Sequence, residues 1–161
     1  PKCVLNLGRI LEEFSNIGGI VVGTNDLAKE LVIPKQNGRA GLLYALGSII
    51  LTAKTYNVIT LDGVFNGISD EEGLRSEAEE GKNMGYDGKT LIHPNQIGIT
   101  NAVFSPTEKE IDLANKIIEA YEKAKEEKSG VTTVDGVLVE ELHVKQSLAL
   151  ISKMKMIQSM R

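Results

Sequence analysis

An alternation constrains this chain more than any other feature. Three short apolar runs are separated by stretches with helical spacing. Gly18-Gly19-Ile20-Val21-Val22-Gly23 is rich in β-branched residues, is bounded by glycines, and reads as a buried strand. Val58-Ile59-Thr60-Leu61 is a second such run and Lys89-Thr90-Leu91-Ile92 a third. Between the first two, Leu42, Leu43, Leu46, Ile49, Ile50 and Ala53 mark an amphipathic helix over residues 39–56. Ser69-Asp70-Glu71-Glu72 reads as a capping box, with the Ser69 hydroxyl on the third helical N–H and Glu72 reaching back; its helix runs to Met84-Gly85. Strand, helix, strand, helix, strand, helix is the order of an α/β fold with parallel strands. Three strands are few for a closed sheet, and a parallel strand covered on both faces needs neighbours on each side. The pattern fits the back part of a larger barrel.

The flanks extend this plan. Ile10, Leu11 and Phe14 predict a short helix over residues 8–16, and Leu27-Ala28-Lys29-Glu30-Leu31 a helical turn closed by Pro34. Ser105-Pro106-Thr107-Glu108 reads as a second capping box with proline at the first helical position. The helix it opens carries Ile111, Ala114, Ile117, Ile118, Tyr121 and Ala124 on one face. Val131–Val139 predicts a hairpin turning at Asp135-Gly136, followed by a last helix over about 141–158. Glu126-Glu127-Lys128-Ser129-Gly130 is the linker candidate, which divides the chain into a partial barrel (1–128) and an extension (129–161).

Composition excludes several classes. The 161 residues carry a net charge of -4 with acids and bases interleaved, which argues against a nucleic-acid binder with a basic face. With no Trp, three Phe and four Tyr, a base-stacking platform is also disfavoured. No apolar run approaches the ~20 residues of a membrane span, and nothing reads as a secretory signal. Cys3 is the only cysteine, so an internal disulfide is impossible and a cysteine-based zinc site is disfavoured. A cytoplasmic or organelle-matrix setting fits.

Each strand ends in polar groups: Thr24-Asn25-Asp26, Asp62 and His93. In a (β/α)8 barrel, such ends converge on one mouth, where the active site lies. Asn25 or Asp26 caps the helix that follows, or Asp26 offers a hard oxygen ligand to Mg²⁺. His93 before Pro94 packs or bonds a carbonyl, or it faces a ligand. Asp62 before Gly63 reads first as a turn residue. Glu140 and Glu141 stand where a helix dipole favours acids, and His143 has no evident partner in the sequence.

Four motifs then occur in order: Gly23-Thr24-Asn25-Asp26-Leu27-Ala28, Asp62-Gly63-Val64-Phe65, Gly88-Lys89-Thr90-Leu91-Ile92-His93-Pro94-Asn95-Gln96-Ile97 and Phe104-Ser105-Pro106. Together they resemble the citrate lyase β-subunit-like family of the HpcH/HpaI aldolase superfamily, which includes citryl-, citramalyl- and malyl-CoA lyases. The resemblance implies an α/β fold: the back half of a (β/α)8 TIM barrel plus a carboxy-terminal hairpin-helix extension, in a homotrimer or trimer-based assembly. It implies a Mg²⁺-dependent carbon-carbon lyase acting on an acyl-CoA substrate. Asp26 would be a metal ligand, and the family's partner glutamate would lie directly before Pro1. Gly23, Thr24 and Asn25 would line the metal-bound end of the substrate, and Ile92 and His93 would take the acyl-CoA. In the extension, Asp135-Gly136-Val137-Leu138-Val139-Glu140 matches a family run that ends in a catalytic aspartate. Glu140 would be the catalytic acid/base, one methylene longer, and Leu142 stands where a proline usually follows. The alternatives are a thioesterase on the same scaffold, with water as second reactant, and a non-catalytic CoA-ester-binding relative. By the same resemblance, the 161 residues alone lack part of the site and are expected to be inactive.

Overall fold

The computed structural model describes residues 1–34, 38–127 and 131–160. Its elements, in order, are α1 (Lys2–Leu5), α2 (Leu7–Glu13), β1 (Gly19–Val21), α3 (Thr24–Glu30), a 3₁₀ turn (Ala40–Leu42), α4 (Leu43–Thr55), β2 (Ile59–Asp62), α5 (Glu71–Met84), β3 (Gly88–Lys89), α6 (Gln96–Phe104), α7 (Glu108–Glu126), β4 (Thr132–Val134), β5 (Val137–Val139) and α8 (Glu141–Ser159). They group into two compact units, Pro1–Phe104 and Ser105–Arg161. The 128/129 boundary expected from the sequence therefore falls inside the second unit. The reason is that α7 packs against α8 and β4. The linker candidate lies partly outside the described residues, at 128–130.

In the first unit, β1, β2 and β3 form a parallel sheet in chain order. Each strand is reached through a helical crossover, as the alternation predicts. Register pairs Ile20 with Thr60 and Asp62 with Lys89, so these residues share one face. That face lies on the helices. Leu46 and Ala53 on α4 are wholly buried, in a cluster with Leu7, Leu11, Val22 and Leu27. The opposite face carries Val21 and Ile59, which are 61% and 55% exposed. A closed barrel turns that face inward, where strands beyond these three would cover it. The fold is thus the partial (β/α) barrel that the sequence predicts.

A buried charge network secures the sheet to α5. Asp62 and the Lys89 side chain have no exposed surface. Lys89 Nζ donates to Asp62 Oδ2 (3.1 Å), Gly63 O (2.7 Å) and Glu77 Oε1 (2.6 Å), so its three protons are all used. Arg39 approaches Asp62 as a fork, Nη1 to Oδ2 at 2.7 Å and Nη2 to Oδ1 at 3.1 Å. Burial acts to lower the Arg39 pKa, but the Asp62 hydrogen bond and the charges of Asp62, Glu77 and Glu80 outweigh it and raise it. Gly81 of α5 passes so close that a Cβ there would lie 2.8 Å from Asp62 Oδ2. Asp87 ties the other end of β2. Its carboxylate accepts the Thr60 N–H (2.9 Å) and a Lys54 Nζ proton (2.6 Å). Partial burial would raise its pKa, but these bonds win and lower it.

Several local expectations are corrected. Ser69 does not cap α5. Asp70 does, accepting from Gly73 N–H at 2.9 Å, because its carboxylate stands one residue nearer the helix. Likewise Thr107, not Ser105, caps α7 in a capping box with Glu110. The first helical region starts earlier than expected and breaks at Asn6, and Phe14 is extended. The third strand ends at Lys89 rather than Ile92, although Thr90 N–H still reaches Asp62 O at 3.0 Å. The hairpin forms as predicted, with Asp135 and Gly136 both at positive φ (48° and 79°), a tight turn that matches strand twist. No helix among the described residues is long and apolar enough to cross a membrane.

Two outcomes follow from the buried groups. Asp62→Ala leaves Lys89 and Arg39 buried without their shared counter-charge, and urea unfolding should register a loss of about 3–5 kcal/mol. For Asp87 the native pKa is depressed below 3.8, so its contribution is present above that value and lost as pH falls through the native one. Asp87→Asn should therefore lower the melting temperature at neutral pH, and the difference from the parent protein should shrink in strong acid.

Candidate functional site at the strand ends

The carboxyl ends of the three strands and the loops after them form one rim of the first unit. Gly23 is the N-cap residue of α3, and Thr24, Asn25 and Asp26 make its first turn. Asp26 therefore does not cap the helix. Among the described residues its carboxylate accepts no hydrogen bond and forms no ion pair, and it is exposed. It stands at the edge of a cavity of about 220 Å³ lined by Val22, Gly23, Leu27, Ile49 and Pro1 among others. An unpaired carboxylate beside an apolar hollow, at a strand end, is free to take a cation.

The neighbouring loop is fitted against this turn. Gly63 follows β2 directly, and a Cβ there would overlap the Thr24 side chain. Glycine lets the two loops touch. Asn25 and Asn66 exchange amide hydrogen bonds, Asn25 Nδ2 to Asn66 Oδ1 at 3.0 Å and Asn66 Nδ2 to Asn25 Oδ1 at 2.8 Å. Asn25 thus reaches the rim with its carbonyl already engaged.

On the third loop, Ile92 is half exposed and His93 half buried. His93 Nδ1 accepts Asn95 N–H at 3.2 Å, which leaves Nε2 as the nitrogen that can face a ligand. Gln96, at the start of α6, is 1% exposed. Its Oε1 accepts Ile92 N–H (3.1 Å), and its Nε2 donates to Phe65 O (3.0 Å). Sequence reading gave Gln96 no role and α6 no place, because the buried positions of that helix are Gln96, Thr100 and Val103, two of them polar. The one available signal was Gln96 itself, closing the Ile-His-Pro stretch.

The structure brings Gly23, Thr24, Asn25 and Asp26 together, and joins them through the β2 loop to Ile92 and His93. Asp62 is not at this rim: it faces the helices and is fully engaged. Glu140 lies in the second unit, at the N-cap of α8, where its N–H donates to His143 Nδ1 at 3.0 Å. His143, which had no evident partner in the sequence, has this one.

A hard divalent cation wants near-octahedral oxygen and keeps several waters. Asp26 fits it as a single ligand. No group of three or more His, Cys, Asp or Glu among the described residues could hold a metal. The remaining positions would fall to water, substrate oxygens or a carboxylate not in this chain.

A partial parallel barrel with a carboxylate-bearing rim defines a class of (β/α) barrel proteins whose chemistry sits at the strand ends. Residues 1–94 match the HpcH/HpaI aldolase/citrate lyase family, and the chain belongs to it. It is 47% identical over 145 residues to a (3S)-malyl-CoA thioesterase of Cereibacter sphaeroides, covering 90% of this chain and 51% of that protein. It is 35% identical over 137 residues to the citrate lyase subunit beta of Leuconostoc mesenteroides subsp. cremoris, covering 85% and 45%. The chain spans about half the length of the curated relatives it matches. Among solved structures, a citrate lyase from Burkholderia xenovorans LB400 superposes with a TM-score of 0.78 at 17% identity, over 98% of this chain and 50% of that one. The citrate lyase beta subunit from Mycobacterium tuberculosis complexed with oxaloacetate and magnesium has a TM-score of 0.58 at 25% identity, covering 65% and 49%.

The Thr24–Gly63 contact is directly testable. Gly63→Ala should destabilise the protein by about 1–3 kcal/mol through overpacking. Adding Thr24→Gly should recover most of that loss in thermal melts.

Proposed function

We infer that the whole protein is a metal-dependent enzyme acting on a malyl-type hydroxyacyl-CoA, and that it hydrolyses the thioester. The observation that carries the site is the unpaired Asp26 carboxylate beside the cavity at the end of β1. The reaction is favoured by the 47% identity to the Cereibacter thioesterase, against 35% to the citrate lyase beta subunit. The magnesium in the Mycobacterium tuberculosis complex supports Mg²⁺ as the cation. Asp26 would hold it, at a cavity that Pro1 also lines. When bound, Mg²⁺ supplies polarisation of the acyl substrate's oxygens and neutralises developing negative charge.

The chain's own residues do the rest. The turn from Gly23 to Asn25 lines the carboxylate end of the substrate. Ile92 contributes apolar contact to the CoA portion, and His93 offers its Nε2 to a polar group there. Glu140, delivered to the barrel of a neighbouring subunit in a trimer, takes a proton from the attacking water and returns it to the departing CoA sulfur. Two steps then share one carboxylate, and the proton account closes. The carbon-carbon lyase reading keeps the same residues. Glu140 then takes the proton of the substrate hydroxyl, the carbon-carbon bond breaks, and the acetyl-CoA enolate is protonated. The likeness to citrate lyase beta subunits supports this second reading.

Product analysis separates the two. Full-length protein with Mg²⁺ and (3S)-malyl-CoA should release malate and free CoA; acetyl-CoA and glyoxylate as the products would instead establish the lyase. Asp26→Asn should abolish turnover and weaken Mg²⁺ binding in calorimetry, and Glu140→Gln should lower kcat by about 100-fold or more with KM little changed. Mixing Asp26→Asn subunits with Glu140→Gln subunits should restore part of the activity. No restoration in mixed assemblies would place Glu140 on its own subunit's barrel.

A further inference from the structure

Regular pairing between β2 and β3 ends at Asp62 and Lys89, but the hydrogen bonding does not. Three carbonyls on the β2 exit are taken in succession from the β3 side. Thr90 Oγ1 donates to Asp62 O at 2.8 Å, Lys89 Nζ to Gly63 O at 2.7 Å and Gln96 Nε2 to Phe65 O at 3.0 Å. The third differs from the others, because Gln96 also accepts, from Ile92 N–H at 3.1 Å. Its side-chain amide sits between a backbone carbonyl of one loop and a backbone N–H of the other, as a peptide unit of an extra strand would. A polar side chain with 1% exposure is kept in such a place by these bonds, since burying the amide unpaired is costly.

We propose that Gln96 is a positioning residue for acyl-CoA recognition: its buried amide bridges the loops after β2 and β3 and sets the spacing between Phe65 and Ile92. This rests on the reading that Ile92 and His93 take the CoA ester. Glutamine is the side chain the bridge requires. Asparagine is a methylene short of spanning the two loops, and glutamate lacks the donor for Phe65 O. Among the described residues Gln96 makes no bond to the Asp26 turn and reaches it only through Phe65 and the Asn66–Asn25 pair, so its loss should act mainly on binding of the CoA portion and spare the chemical step.

The test uses the full-length protein with (3S)-malyl-CoA for turnover and free CoA for calorimetry. Gln96→Met keeps the volume and removes both bonds; Gln96→Glu keeps the acceptor and removes the donor. Gln96→Met should raise KM and the Kd for CoA by about tenfold or more, with kcat within about twofold and Mg²⁺ binding unchanged. Gln96→Glu should raise both in the same direction. A folded Gln96→Met protein with unchanged KM and Kd, or one that loses kcat at constant KM, overturns the proposal. Amide exchange in the parent protein supplies a measurement free of folding defects: Ile92 N–H should be protected, and rapid exchange there overturns the bridge. His93→Ala separates this inference from the reading beneath it. If His93→Ala and Ile92→Ala both leave CoA affinity unchanged, the loop does not take the CoA ester, and that reading fails. If they weaken it while Gln96→Met does not, only the bridge fails.

Discussion

The Asp62–Lys89 pair is the constraint on which the first unit depends. Two opposite charges with no exposed surface stand opposite each other on adjacent parallel strands. Taking either out of water alone would cost several kcal/mol, so each is tolerable only while the other, Arg39 and Glu77 stay in place. That requirement fixes the register of β3 on β2, because a one-residue slip would turn Lys89 to the other face. It also fixes α5, which supplies Glu77 and passes over Asp62 at Gly81. A two-residue strand such as β3 offers little ladder of its own. Side-chain charge supplies the specificity that its length cannot.

The same network reaches the rim. Lys89 spends one of its protons on Gly63 O, and Gly63 is the residue against which Thr24 rests. The position of the Asp26 turn is therefore tied, through Gly63, to a lysine buried on the helix-facing side of the sheet. Asn25–Asn66 and Gln96 extend the lateral links outward, so the three loops form one connected edge. Such an edge holds groups in place without regular structure, which is what a site built from loops needs. Among the described residues the Asp26 carboxylate takes no part in this bonding and does not cap α3.

Much of this was legible beforehand. The alternation of β-branched runs with helical spacing gave three parallel strands, and Asp135-Gly136 gave the hairpin turn. Strand ends in this architecture face one way, which is why Thr24, Asn25, Asp26 and His93 stand on one rim; Asp62, expected there by the same reasoning, faces the helices instead. Helix α6 hides polar residues and exposes Ile97, so its periodicity is inverted and reads as no helix at all. The caps lie at Asp70 and Thr107, one and two residues beyond Ser69 and Ser105, because several capping side chains stand in a row and backbone dihedrals choose among them. Asp62 was read as a turn residue because a carboxylate before glycine looks like one locally.

By itself, the order of residues determined the fold class, the parallel connection and the positions of the strand ends, since these follow from local periodicity and chain connectivity. Only the tertiary structure decided which polar groups are consumed and which remain free. Asp62 and Asp26 are both aspartates at the exits of strands. One meets Arg39 and Lys89 from 23 and 27 residues away and is paired inside the protein, whereas the other is exposed and meets no partner among the described residues. That difference lies in long-range contacts, which no local pattern encodes.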